Sequence, residues 1–371
     1  MAELFRASEH EPLVSDEWSE ERAEAAIAAI VSDAEAAYDG TRWPFHPADD
    51  PDDSQNGIYL GVAGMAWALE ELGSRGWGGA VVRALERYRV DPDGGEEWAY
   101  APSYLGGEAG IVLVAYRLAG DAALADYLHE LVLANLDDRW NELLWGAAGS
   151  LLMAEAMLAW TGEERWAEAW DALADALAGK RDADGLWTQH LPKKDYRFVG
   201  AAHGFVGNAR ALANRRPFDV DDLLERLAIR EDGLANWLPN EGAALDDIRV
   251  QWCHGAAGVV SSLGSFMNEE LALAGGELTW RAGPLAKGSG LCHGTAGNAY
   301  AFLVLHARTG DELWLERARA FAMHAIGQVE REREKLGRGR YSLFTGDIGV
   351  ALFLRHLLYG KSSFPTLGPF A

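Results

Sequence analysis

Cysteine is scarce: the chain of 371 residues has two, Cys253 and Cys292. Two thiols cannot build the disulfide framework of a small secreted scaffold. Long apolar runs are missing as well. No window of about 18 uncharged apolar residues occurs, so no membrane span is expected. Basic residues are outnumbered, 33 Lys and Arg against 57 Asp and Glu, for a net charge of −24. Such a surface repels phosphate backbones and anionic lipid heads, and neither nucleic acid nor a membrane is an expected partner. The opening stretch MAELFRASEHEPLVSDEW lacks a basic leader followed by an apolar stretch. No signal peptide is read there, and a cytoplasmic location is expected. Strand patterning is thin; short strands are expected only at residues 97–100 or 186–190.

What the chain does have is a repeat. The pair G-x-x-G occurs seven times, each time opening an apolar helical run: Gly61/Gly64, Gly107/Gly110, Gly146/Gly149, Gly204/Gly207, Gly255/Gly258, Gly294/Gly297 and Gly346/Gly349. The first glycines are 46, 39, 58, 51, 39 and 52 residues apart. One such pair is weak evidence, but seven at this spacing mark an internal repeat.

The unit is legible in detail. After Gly146, residues 150–160 are helix formers with apolar side chains on nearly every face, and Thr161-Gly162 ends the run. Residues 163–177 then read EERWAEAWDALADAL, with Trp166, Trp170, Leu173 and Leu177 on one face. The sixth unit repeats this, with Thr309-Gly310 as the turn and Trp314, Ala318, Phe321 and Ala325 as the apolar stripe. Each unit is a helical hairpin whose first helix needs burial on several sides and whose second has one wet face. Seven hairpins that cannot bury their own surface close into a ring, apolar helices inside and amphipathic helices outside. The expected fold is all-α, an α/α toroid of seven helical hairpins in a single domain, residues 1–371. All seven G-x-x-G ends then lie on one face. The variable loops 39–56 and 181–200, the latter with Pro192-Lys193-Lys194, share that face, where specificity usually resides.

Both cysteines hold equivalent positions, two residues before Gly255 and two before Gly294. His254 and His293 each follow one of them, and His203 stands one residue before Gly204. Two cysteines taken alone are ordinarily buried fillers. At equivalent positions of consecutive repeats they converge on one rim. Two thiolates and one imidazole make a three-ligand zinc site with an open fourth position, the arrangement of catalytic zinc. Cys253, Cys292 and His293 are the expected ligands, although His254 fits the composition equally well. Such a site carries little net charge and suits capture of a further thiol as thiolate. His203 is the expected acid–base group. Glu142, four residues before Gly146, falls in the adjacent repeat, where it would orient that imidazole. Lys287 and His254 are expected to face substrate.

At these residues the sequence resembles the lanthionine synthetase C-like family. The matching segments are ELLWGAAG (142–149), GAAHGFVG (200–207), QWCHGAAG (251–258), GLCHGTAGNAYAFL (290–303) and YSLFTGDIG (341–349). The resemblance implies the α/α barrel and one zinc ion on the residues matching Cys253, Cys292 and His293. It implies addition of a thiol to dehydroalanine or dehydrobutyrine in a dehydrated peptide or protein, giving a thioether, with protons handled by the residue matching His203. ELLWGAAG and Lys287 look more like the glutathione-using branch; the bacterial peptide cyclases typically carry aspartate where Glu142 stands. Three other readings compete: a metal-independent toroid carbohydrate enzyme with its acid–base groups at the mouth, a non-catalytic peptide-binding scaffold that keeps zinc, and a prenyltransferase-like use of zinc. The last needs an Asp–Cys–His ligand set that this chain does not offer.

Overall fold

The computed structural model describes residues 4–13, 16–49 and 55–367, so part of the 39–56 loop, residues 50–54, lies outside the described residues. In chain order the helices are α1 (Glu20–Ala37), α2 (Val62–Glu71), α3 (Gly78–Tyr88), the single turn α4 (Gly95–Trp98), α5 (Glu108–Ala119), α6 (Ala122–Leu133), α7 (Ala147–Thr161) and α8 (Glu164–Gly179). They continue as α9 (Phe205–Ala213), α10 (Asp221–Leu227), α11 (Ala256–Leu263), α12 (Glu269–Ala282), α13 (Thr295–Thr309), α14 (Glu312–Leu336) and α15 (Asp347–Leu358).

Composition sorts these helices into two layers. Every position of α13 from 295 to 305 is buried, which only a helix surrounded by others allows. The other helices that follow a G-x-x-G start, α2, α5, α7, α9, α11 and α15, are buried in the same way. The intervening helices show one face to the core, as α8 does with Trp166, Trp170, Leu173 and Leu177. The turn between layers is built alike in repeats three and six. Thr161 and Thr309 each donate their hydroxyl to the carbonyl four residues back, and the following glycine takes a left-handed φ of 67° or 68°. Asp311 then caps α14 by accepting from the Leu313 amide.

The inner helices touch in the order α7, α9, α11, α13, α15, α2, α5, and α6 packs on both α5 and α7 to complete the circle. This is the α/α toroid. The seventh pair is not a sequential hairpin. No helix follows α15 among the described residues; instead α1, from the other end of the chain, packs on α15 and α14 as its outer partner. The expected strand at 97–100 is absent, because α4 occupies Gly95–Trp98. In the second expected segment only Gln189–His190 is extended; this strand, β1, pairs antiparallel with β2 (Asp195–Tyr196). A second ribbon, β3 (Ala228–Glu231) with β4 (Leu234–Trp237), turns through Asp232 and Gly233, both at positive φ.

The repeat register becomes physical at the mouth. From repeat five round to repeat three, the position two before the first glycine is tied to its counterpart in the next repeat by a backbone hydrogen bond. Cys253 N–H donates to the Cys292 carbonyl at 3.2 Å, Cys292 to Phe344 at 2.8 Å, Phe344 to Tyr59 at 3.2 Å, Tyr59 to Leu105 at 2.9 Å and Leu105 to Leu144 at 3.3 Å. The second glycines set how closely these strips fold over the helices. A Cβ on any of the seven would stand 1.7–2.4 Å from the carbonyl oxygen six residues earlier. At Gly258 and Gly297 those carbonyls belong to Trp252 and Leu291, the residues just before the two cysteines. Only glycine permits that approach.

Candidate functional site

The strips preceding α11 and α13 carry Cys253, Cys292 and His293, and one ligand atom from each lies within 4.8 Å of the other two. A tetrahedral metal with bonds of about 2.3 Å to sulfur and about 2.0 Å to nitrogen puts its ligand atoms roughly 3.5–3.8 Å apart, so this cluster fits such a site with little movement. Both cysteines are buried and His293 is half-buried, and neither thiol is in a disulfide. His254, which composition could not tell from His293, does not join the cluster. Its ring lies on the other side, against Phe198 at 5.9 Å and His203 at 6.1 Å between centroids.

The thiols are strongly coupled. A hydrogen bond from Cys292, and then one from His293, hold the Cys253 thiol well below its usual range against the cost of burial. Burial and the neighbouring Cys253 push Cys292 well up, while Tyr59 and Lys287 pull the other way. The Gln251 side-chain amide donates to Cys253 Sγ at 2.8 Å. Two thiols with donors aimed at them are a cluster prepared for negative charge. Lys287 is exposed, with no ion pair among the described residues, and its charge reaches Cys292.

His203 and Glu142 meet as expected from adjacent repeats. His203 Nδ1 lies 2.9 Å from Glu142 Oε2, and Glu142 is fully buried. The other carboxylate oxygen accepts the Trp145 amide, so Glu142 is fixed from both sides. Burial works against a charged His203, but the Glu142 hydrogen bond and charge, with a contribution from Cys253, outweigh it. The imidazole pKa therefore ends above its ordinary value. Nδ1 is committed to Glu142, which leaves Nε2 for other chemistry. The ring is further held between Trp145, stacked at 5.6 Å, and Phe198 at 5.7 Å.

A cavity of about 300 Å³ opens beside this pair, lined by Tyr59, Leu105, Leu144, Trp98, Trp145 and His203 among others. The β1–β2 ribbon, with the exposed Lys193 and Lys194 at its tip, borders the same mouth through Tyr196 stacked on Phe198 at 4.6 Å.

The profile of the family described as "Lanthionine synthetase C-like protein" matches residues 52–367. The chain belongs to that family. A LanC-like protein, GCL1 of Arabidopsis thaliana, is 36% identical over 189 residues, covering 46% of this chain and 43% of the relative. Glutathione S-transferase LANCL1 of Danio rerio is 41% identical over 184 residues, 45% of each chain. The matches thus span less than half the length of these curated relatives. Among solved structures, nisin cyclase superposes with a TM-score of 0.59 at 14% identity, covering 94% of this chain and 96% of that one, which shows a shared lanthionine synthetase C-like fold.

Tyr59 escaped the sequence reading. It lines the cavity, stacks on Phe344 at 4.8 Å, and its hydroxyl pulls the Cys292 thiol downward. Its signal was in the register: Tyr59 stands two residues before Gly61, the position the cysteines hold in repeats five and six. Gln251 was missed too, and its place two residues before Cys253 gave no comparable signal.

Proposed function

We propose that this chain is a zinc-dependent enzyme that adds a thiol to a dehydroalanine or dehydrobutyrine residue of a peptide or protein, forming a thioether. The observation that carries this reading is the meeting, at one end of the toroid, of Cys253, Cys292 and His293 with an imidazole held by a buried carboxylate. Those three side chains would hold zinc, which would supply Lewis-acid activation favouring an incoming thiol as thiolate near neutral pH.

The chain's own residues account for the rest. Addition forms a carbon–sulfur bond at the β-carbon and leaves an enolate whose α-carbon needs a proton, balancing the one the thiol loses. His203, charged through Glu142, is the group that holds that proton, and its free Nε2 is the atom to deliver it. Trp145 and Phe198 keep the ring from turning. His254 closes the wall between His203 and Cys253 and faces substrate. Lys287 offers an unpaired cation to a carboxylate of the thiol donor. Kinship with a protein named as a glutathione S-transferase, together with Lys287, favours glutathione over a cysteine of the same peptide. Two free thiols suit a reducing compartment, the cytoplasm. No helix among the described residues is long and apolar enough to cross a membrane.

The test is to mix zinc-loaded protein with a dehydroalanine peptide, with and without glutathione, and weigh the product. A gain of one glutathione is the expected outcome. An unchanged mass with a consumed peptide thiol would mean ring closure instead, and no reaction in either mixture would defeat the proposal.

A further inference from the structure

The cavity beside His203 carries an inference about which peptides are accepted, and it rests on the thiol-addition reading above. Tyr59 and His203 both line it, and both border the cluster of Cys253, Cys292 and His293. Tyr59 does so through Phe344, on which it stacks and whose carbonyl accepts the Cys292 N–H, His203 through the ring of His254 that follows Cys253. The electrophilic residue must present its β-carbon to sulfur at the cluster and its α-carbon to His203. An extended chain advances about 3.3–3.6 Å per residue. A side chain adjoining the electrophile therefore falls into the space between those two residues.

That space is walled by hydrocarbon. Leu105, Leu144, Trp98 on α4 and Trp145 line it, the two indoles 5.3 Å apart and tilted. Trp140 backs both, 6.0 and 5.5 Å away. Besides Tyr59 and His203, the lining has one ionisable group, Asp93. Its carboxylate accepts the backbone N–H groups of Asn56 and Gly57 and the Asn56 side-chain amide. It is therefore committed to holding a loop, and it disfavours an incoming acid. At about 300 Å³ the cavity is at the small end of ligand pockets, with room for one large side chain.

We propose that the cavity between Trp98 and Trp145 binds an aromatic or branched aliphatic side chain next to the dehydroamino acid, making this wall the determinant of peptide choice. The test separates binding from turnover. Peptides with serine in place of dehydroalanine, and Phe, Leu, Gly, Lys or Asp beside it, are titrated into the zinc-loaded protein by calorimetry. The Phe and Leu peptides are expected to bind at least about tenfold tighter than the Gly peptide, with the Asp peptide weakest. Trp98→Ala should shrink the Phe-to-Gly ratio to below about threefold, while Trp98→Phe keeps most of it. Equal affinity for Phe and Gly peptides, a preference for Lys, or a Phe advantage untouched by Trp98→Ala would overturn the proposal. If the Phe peptide binds best yet no dehydroalanine peptide reacts with glutathione or its own thiol, the cavity assignment stands and the thiol-addition reading falls.

Discussion

The mouth of the toroid divides into two arcs built on one backbone plan. In repeats five and six the position two before the first glycine is Cys253 and Cys292; in repeats one, two and three it is Tyr59, Leu105 and Leu144. The same ladder of backbone hydrogen bonds links both arcs. One arc gathers thiols and an imidazole, the other frames an apolar cavity. The scaffold therefore supplies position, and the residue at one repeat register supplies chemistry. The borders between the arcs are where the two must cooperate. At one border stands His203 on Glu142, at the other Tyr59 on Cys292.

The sharpest way to break the contrast is to erase the polar arc. Cys292→Ala should lose stoichiometric zinc, measured by elemental analysis, and with it all turnover, because two protein donors leave an incomplete site. The toroid should persist by circular dichroism, since Cys292 contributes no unique backbone hydrogen bond: its N–H and carbonyl serve any residue. A Cys292→Ala protein that keeps both metal and activity would show that the arcs do not differ in the way described.

His203→Ala tests the first border. Zinc content should hold, while the rate falls by about 10²–10⁴, the usual worth of a general acid–base group. Glu142→Gln probes the same border through pH. The His203 pKa is raised, so the charged ring survives above the ordinary histidine range, and activity that needs its proton fades only as pH climbs through that raised value. Glutamine removes the charge that opposes the burial cost, so the alkaline limb of the kcat profile should move to lower pH. An unmoved limb in Glu142→Gln would separate the carboxylate from the proton transfer.

Much of this was legible in the sequence because it is local. The seven glycine pairs, the Thr161-Gly162 and Thr309-Gly310 turns and the stripe of Trp166, Trp170, Leu173 and Leu177 are short-range patterns, and each corresponds to an element of the fold. The meeting of Glu142 with His203 followed from their places in neighbouring repeats. What escaped depends on contacts distant in sequence or on which way a ring points. α1 completes the seventh pair from the far end of the chain, a partnership with no local signature. Composition could not choose between His254 and His293, because both adjoin a cysteine; the difference lies in where the rings point, His293 into the cluster and His254 against Phe198 and His203, residues of another repeat. The β3–β4 ribbon has a local signal, Asp232-Gly233, at its turn, but its short strands carry little alternation of their own. The strand expected at 97–100 is instead preceded and overlapped by a single helical turn, Gly95 to Trp98, that delivers Trp98 to the cavity.

The second border carries the smallest expected effect and the most specific one. Tyr59 belongs to the apolar arc by register, yet its hydroxyl is a donor that pulls a thiol of the polar arc, Cys292, downward. Tyr59→Phe keeps the ring, its stack on Phe344 and the cavity wall, and removes only that donor. A hydrogen bond to a metal-binding sulfur tunes the ligand rather than creating it, and losing such a partner typically costs 10–100-fold in metal affinity or activity. About tenfold weaker zinc binding is expected, read by competition with a chelator. In cobalt-substituted protein the sulfur-to-metal charge-transfer band should shift, a change that loosened packing would not produce, since the thiolate loses a donor that lowers its electron density. If the band and the affinity both match the unmodified protein, Tyr59 is a wall of the cavity and nothing more, and the two arcs meet only at His203.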